Sequence, residues 1–237
     1  MRIIKEGKSK NALVAIAIGD EFCNKFIDGP MKTWLNYCHK FDLSLIIFDS
    51  DLISKEHPNW KKATWQKTLI GSELSKCDLD LNNICYMDTD FIISPIAPNV
   101  FDYYNENFIG LVSLRKNLPF EYQKTMRSIA WNRKLYYDSN YPLDSILIGT
   151  TRDLYLHNNL PPVEDEACMG LIIFNLNNHS KMFVEIFHKY DKSIVSTTGG
   201  GDQTHHNYEF QKTGLVQWLD YKFQAIWTHE MASKYDF

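Results

Sequence analysis

Three stretches of the chain are almost wholly apolar, and each ends in acids. Residues 12–18 read ALVAIAI and stop at Gly19-Asp20. Residues 43–48 read LSLIIF and stop at Asp49-Ser-Asp51. Residues 84–87 read ICYM and stop at Asp88-Thr-Asp90. Runs of this length and composition predict strands buried on both faces. The segments between them are spaced like helices. Gly29-Pro30 opens one through Phe41, with Pro at a permitted first-turn position, and Asn59 caps another running to about Lys76. The first hundred residues thus predict β-α-β-α-β, a parallel arrangement with helices on both faces. In such sheets ligands collect beyond the carboxyl ends of the strands, where these acids stand.

The remainder is less regular. Residues 108–114 predict a strand, and residues 119–138 a helix interrupted near Asn140. Residues 169–175 (MGLIIFN) predict a strong strand and residues 178–190 a helix. Thr197-Thr-Gly-Gly-Gly201 breaks the chain, and Asp202 caps a helix through Lys212. The chain reads as a single domain over 1–237, with a nucleotide-binding half at 1–100 and an acceptor-binding half with a C-terminal tail at 101–237.

Composition narrows the function. A length of 237 residues with 44% hydrophobic content suits one sizeable core. The net charge of −4 argues against nucleic acid as a partner. The five cysteines, at 23, 38, 77, 85 and 168, are odd in number and lack metal-ligand spacing. They are expected to be reduced and mostly buried, in a cytoplasm-like compartment. The apolar run near the N-terminus is too short to span a bilayer. A soluble protein without signal peptide or transmembrane segment is therefore expected, with peripheral membrane association left open.

Asp-x-Asp occurs at 49–51, 78–80 and 88–90, and context separates the three. Asp78 and Asp80 lie in a polar loop, where solvated acids need no explanation. Asp49 and Asp51 end a strand, and Asp51 is a candidate nucleoside contact. Asp88 and Asp90 have strand-like sequence on both sides and should sit at a tight kink in the sheet. There two like charges resist desolvation, and a hard divalent cation, Mn²⁺ or Mg²⁺, would compensate them.

With that segment, YMDTDFIIS, the sequence resembles GT-A-fold glycosyltransferases: an α/β, Rossmann-type mixed sheet with helices on both faces. Three further segments resemble the glycogenin and lipopolysaccharide galactosyltransferase group. Trp65-Gln-Lys67 is similar to its aromatic-x-basic pair, and Asp202-Gln-Thr-His-His-Asn207 to its Asp-Gln segment. Thr228-His-Glu-Met-Ala-Ser-Lys234 resembles its His…Gly…Lys tail. The resemblance implies that Asp88, Thr89 and Asp90 meet nucleotide and metal, and that His229 completes the metal site. It also implies that Lys67 and Lys234 meet the diphosphate and that Asp202 and Gln203 face the sugar. Ile18, Gly19 and Asp20, at the end of the first strand, should meet the nucleoside. The tail would close as a lid over bound nucleotide. Two departures stand out: Cys168-Met-Gly170 replaces Asn-small-Gly, and Ala232 replaces the tail glycine.

The implied activity is metal-dependent transfer of a sugar from a nucleoside-diphosphate sugar, UDP-sugar first, to a hydroxyl on a glycan, protein or lipid-linked acceptor. The Gln203 amide oxygen could stabilise a sugar cation, which favours retention; an inverting enzyme would need a base, and Glu166 or Asp165 could serve. Lys61 and Lys62 read as solvated surface lysines. Two other functions compete. A pyrophosphorylase-like enzyme would need a basic, Gly-rich N-terminal phosphate loop, which residues 12–26 lack. The other is a non-catalytic carbohydrate-binding protein of the same fold.

Overall fold

A computed structural model describes residues 1–136, 150–197 and 201–235. Seven strands form one mixed sheet: β1 (Arg2–Lys5), β2 (Asn11–Ile16), β3 (Ser44–Phe48), β4 (Asn83–Met87), β5 (Ile109–Val112), β6 (Leu171–Asn175) and β7 (Val216–Leu219). Their order across the sheet is β1-β3-β2-β4-β6-β5-β7. The three apolar runs become β2, β3 and β4, which pair in parallel as predicted. β6 lies antiparallel between β4 and β5, and β1 antiparallel on β3. The short RIIK run of β1 was not anticipated.

An asparagine ladder marks the register at one end of the sheet. Asn11 pairs with Asn83, and Asn83 with Asn175. The Asn83 amide donates to Asn11 Oδ1 at 3.0 Å, and the Asn175 amide donates to Asn83 Oδ1 at 3.0 Å. A slip of one residue would break both bonds and turn every side chain to the opposite face.

Helix α1 (Asp20–Asp28) precedes the expected helix, α2 (Met31–Phe41). It buries Cys23 and Phe26, and the Phe26 ring meets Trp34 edge-on, with centroids 4.9 Å apart. Asp20 thus opens a helix, and Gly19 before it has φ +95°, a conformation suited to glycine.

The single helix expected over 59–76 is broken. α3 (Ala63–Gln66), a 3-10 turn (Lys67–Leu69) and α4 (Ile70–Leu74) follow one another. Asn59 caps none of them; the residue before α3 is Lys62. Trp65 and Leu69 pack with Phe187 from the helix Leu176–Lys189. A Cβ on Gly71 would come within 2.2 Å of Ser180 Oγ, so glycine sets this close approach.

Further helices are α5 (Tyr122–Tyr136), Thr151–His157, Ile194–Thr197, Gln203–Lys212 and Trp227–Lys234. The expected interruption near Asn140 and residues 198–200 of the glycine break lie outside the described residues. The segment expected to be a lid contains an ordered helix, Trp227–Lys234, whose Ala232 packs against Met126 and Ile129 of α5. All five cysteines are free thiols, with Cys23, Cys38 and Cys85 buried.

The fold divides into two compact units. The first comprises Met1–Leu111, Met169–Asp202 and Leu215–Gln217. The second comprises Val112–Cys168, Gln203–Gly214 and Trp218–Phe237. Among the described residues no helix is long and apolar enough to cross a membrane.

Candidate functional site

In the first unit the site grows from the end of β4. Side chains alternate along a strand, so Tyr86 and Asp88 point the same way. The Tyr86 hydroxyl donates to Asp88 Oδ1 at 2.5 Å. The Asp88 amide donates to Gly170 O at 2.8 Å, which fixes the backbone one residue past the strand. The chain then turns at Thr89-Asp90, and residues 91–99 are irregular. The second strand expected after Asp90 does not form; this segment spends its backbone groups on α2 instead of a neighbouring strand.

Lys67 joins three parts of this unit. It is 3% exposed. Its ammonium donates to Met169 O at 2.7 Å, lies 3.1 Å from Asp202 Oδ2 and 4.0 Å from Asp88 Oδ1, and sits 5.1 Å from the centre of the Tyr86 ring. The expected Lys67 and Asp202 are thus brought together with Asp88. Asp202 is buried, and a buried carboxylate requires such a partner. Burial pushes the Tyr86 hydroxyl well above its ordinary pKa, with the charge of Asp88 next in effect. It stays a neutral donor.

Asp90 has less compensation. Partial desolvation and, after it, the charge of Asp88 hold its carboxyl above the ordinary value, although the residue is exposed. A carboxylate pair with hard oxygens and mutual repulsion fits a divalent cation. Among the described residues no three His, Cys, Asp or Glu side chains form a ready metal cluster, so water or ligand oxygens would have to complete the shell. His229 stands in the second unit, with its ring beside Phe120 and centroids 6.1 Å apart. Lys234, in the same unit, is exposed and pairs with Glu230 at 2.8 Å.

The loop after β3 is also built for position. Asp51 Oδ1 accepts from the Trp60 indole at 3.1 Å and from the Gln66 amide at 2.6 Å, while Gln66 Oε1 accepts from Leu52 N at 2.7 Å. Gln66 is wholly buried. Asp49 instead pairs with Arg2 at 2.8 Å. At the end of β2, Ile18 is half-buried and Gly19 and Asp20 are exposed.

Lys61 corrects a sequence expectation. It is not on the surface but fully buried, donating to the carbonyls of Asn59, Phe187 and Tyr190 at 3.2, 2.9 and 2.8 Å. Burial pushes its pKa down to about 8. Lys62, next to it, is exposed as expected.

In the second unit, Asp165 and Glu166 are both buried. Asp165 accepts from Ser113 Oγ at 2.8 and 3.0 Å and from the Glu166 amide at 2.7 Å. Burial holds its pKa above the ordinary value. Glu166 Oε2 takes both Nε and Nη2 of Arg115 at 2.8 Å, and Oε1 accepts from the Gln203 amide at 2.6 Å. These partners leave neither acid placed as a free base for an acceptor. Asn207 reaches back to both polar groups of Ala167, at 2.7 Å each.

Tyr86, Gln66 and Arg115 were missed in the sequence. Only Tyr86 had a signal there, its place two residues before Asp88 on a strand.

No family sequence model matches this chain, and no curated protein matches it. Its fold is similar to that of a solved glycosyltransferase involved in the glycosylation of the major capsid of PBCV-1. The TM-score is 0.51 at 8% identity, covering 89% of this chain and 82% of that one. Mouse xyloside xylosyltransferase 1 in its apo form aligns at a TM-score of 0.42 and 12% identity, over 89% and 85% of the two chains. That second likeness is too slight to carry an argument. The first shows a shared fold: the chain is an α/β protein with the GT-A-like mixed sheet that its motifs led one to expect.

Proposed function

We propose that this protein is a metal-dependent glycosyltransferase, moving a sugar from a nucleoside-diphosphate sugar to a hydroxyl acceptor. UDP-sugar is the first donor to test. The observation that carries this reading is the acid pair Asp88 and Asp90 beyond β4, with buried Lys67 between Asp88 and Asp202.

Asp88 and Asp90 would hold Mn²⁺ or Mg²⁺ in this reading. The ion supplies Lewis-acid stabilisation of the diphosphate leaving group. Lys67 adds a preorganised positive charge beside the carboxylates, already desolvated and needing no reorganisation. Tyr86 orients Asp88 through its hydroxyl. Asp51, locked by Trp60 and Gln66, and the Ile18-Gly19-Asp20 turn are the nucleoside contacts. Thr89 places the two metal-binding acids on one turn. Asp202 and Gln203 are the sugar-facing pair. The Gln203 amide nitrogen is engaged by Glu166, which leaves its carbonyl oxygen as the group offered to a developing sugar cation. That assignment favours retention. His229 and Lys234 are carried from the resemblance alone, as further metal and diphosphate contacts.

The test is Mn²⁺-dependent nucleotide release from a panel of sugar nucleotides, with hydroxyl acceptors present. Asp88→Asn and Asp90→Asn should each lower turnover by about 10²–10³-fold. Near-wild-type turnover in either variant would remove the metal role. NMR of the product's anomeric proton decides retention.

A further inference from the structure

Lys61 is a fully buried cation with no part in the chemistry proposed above. An ammonium has three N–H donors, and its three acceptors are the carbonyls of Asn59, Phe187 and Tyr190. Phe187 O and Tyr190 O lie at the C-terminus of the helix Leu176–Lys189. The last carbonyls of a helix have no partner within it and carry partial negative charge. The Phe187 ring lies 3.8 Å from the same ammonium. A methionine could fill this space without the cost of burying a charge. What it could not do is tie the helix end to the backbone of another segment.

That segment leads to Asp51. Residues 51–62 contain no helix or strand, so side-chain bonds set where Asp51 stands. The Lys61 carbonyl accepts from Gln66 Nε2 at 2.7 Å, and the same nitrogen donates to Asp51 Oδ1 at 2.6 Å. Trp60, next to Lys61, donates its indole N–H to that oxygen at 3.1 Å. A second tie joins the loop to the helix, with Asn59 Nδ2 and His188 Nδ1 3.1 Å apart. Asp51 Oδ1 is thus filled. Among the described residues Asp51 Oδ2 has only the exposed Lys55, at 3.8 Å. A carboxylate with one oxygen locked and the other open is set to accept from a donor outside the chain.

We propose that Lys61 is a positioning residue for the donor nucleoside. It anchors residues 51–61 to the end of the helix Leu176–Lys189, and so places Asp51 Oδ2 to accept from a hydroxyl or ring N–H of the nucleoside. Lys61 itself touches no ligand and acts through Asp51. The inference rests on the reading of Asp51 as a nucleoside contact under the proposed function, and is independent of retention and of the acceptor.

Calorimetric titration of the full chain with UDP, GDP, CDP and ADP in the presence of Mn²⁺ tests it. For the nucleotide that wild type binds tightest, Lys61→Met should weaken Kd about tenfold. Asp51→Asn keeps an oxygen for Trp60 and Gln66 but replaces the open acceptor by a donor, and should weaken Kd by a similar factor. The double variant should bind no more than about twofold worse than Asp51→Asn alone, because the two residues act as one. In metal-free protein, hydrogen exchange should quicken at residues 52–60 of Lys61→Met and stay unchanged at β2, β3 and β4. Equal affinity of Lys61→Met and wild type overturns the inference. So do additive losses in the double variant, or exchange that quickens in the strands as much as in the loop. If Lys61→Met does not fold, Lys61→Gln, which keeps N–H donors, is judged by the same criteria. A wild type that binds none of the four nucleotides defeats the proposed function and the role of Lys61 with it. Binding by wild type with no difference between the variants defeats the role of Lys61 alone.

Discussion

Two acidic clusters, one in each unit, use the same residue types to opposite ends. In the second unit Asp165 and Glu166 are buried, and each carboxyl has its partners: Ser113 and a backbone amide for one, Arg115 and Gln203 for the other. In the first unit Asp88 and Asp90 stand one residue apart; Asp88 accepts from the Tyr86 hydroxyl and has Lys67 at 4.0 Å. Asp90 is exposed, yet partial desolvation and then the charge of Asp88 hold its pKa above the ordinary value. A buried acid whose lone pairs are filled by the protein serves the fold. An acid pair left under repulsion at a strand end has capacity for something not of the chain. Sequence alone made both clusters candidates for chemistry; hydrogen-bond accounting distinguishes them.

The largest expected effect probes the hinge of the first cluster. Lys67→Met keeps the side chain's length and removes the cation beside buried Asp202. Breaking a buried ion pair from one side typically costs about 3–5 kcal/mol. Urea denaturation should show a loss of that order. Lys67→Met/Asp202→Asn should recover part of it, because no charge is then left buried. A single-variant loss that the double variant does not reduce would mean the pair is not what stabilises the unit.

A second measurement sharpens the contrast between the clusters. Glu166→Gln deprives Arg115 of its counter-charge in a closed network and should cost about 1–3 kcal/mol. Asp88→Asn relieves repulsion on Asp90 and should cost nothing in metal-free protein, or add slightly to stability. Thermal melts of both variants, side by side without metal, decide it. Equal destabilisation would erase the distinction drawn here.

What the sequence could show of all this follows from which interactions are local. β2, β3 and β4 were legible because an unbroken apolar run reports burial on both faces without reference to its neighbours. Asp88 and Asp90 were legible for the same reason, as charges set against such a run. The antiparallel sense of β6 was not, because strand composition does not encode direction. α1 was hidden because Asp20 and Glu21 read equally well as a ligand-binding turn and as a helix start. The helix expected from Asn59 failed because Trp60 and Gln66 are drawn to Asp51, a tertiary demand that overrides propensity. Lys61 looked like any surface lysine, since the carbonyls of Phe187 and Tyr190 that bury it lie 126 and 129 residues away.

The smallest expected effect is the most exacting control on the acid pair. Asp78 and Asp80 repeat the Asp-x-Asp spelling in a loop before β4, and both are exposed. Asp80 pairs with Lys10 at 2.9 Å, but both side chains are more than half in solvent, at 78% and 55%. Water screens such a pair, and holding two mobile side chains together offsets most of what attraction remains. Asp78→Asn and Asp80→Asn should therefore shift the melting temperature by no more than about 2 °C. Mn²⁺-dependent turnover should stay at the wild-type level, because both acids are open to solvent in the loop before β4. The spelling of the motif is then held constant while its environment changes. If either substitution removed Mn²⁺-dependent turnover while Asp88→Asn did not, the metal would belong to the loop before β4 rather than to the turn after it.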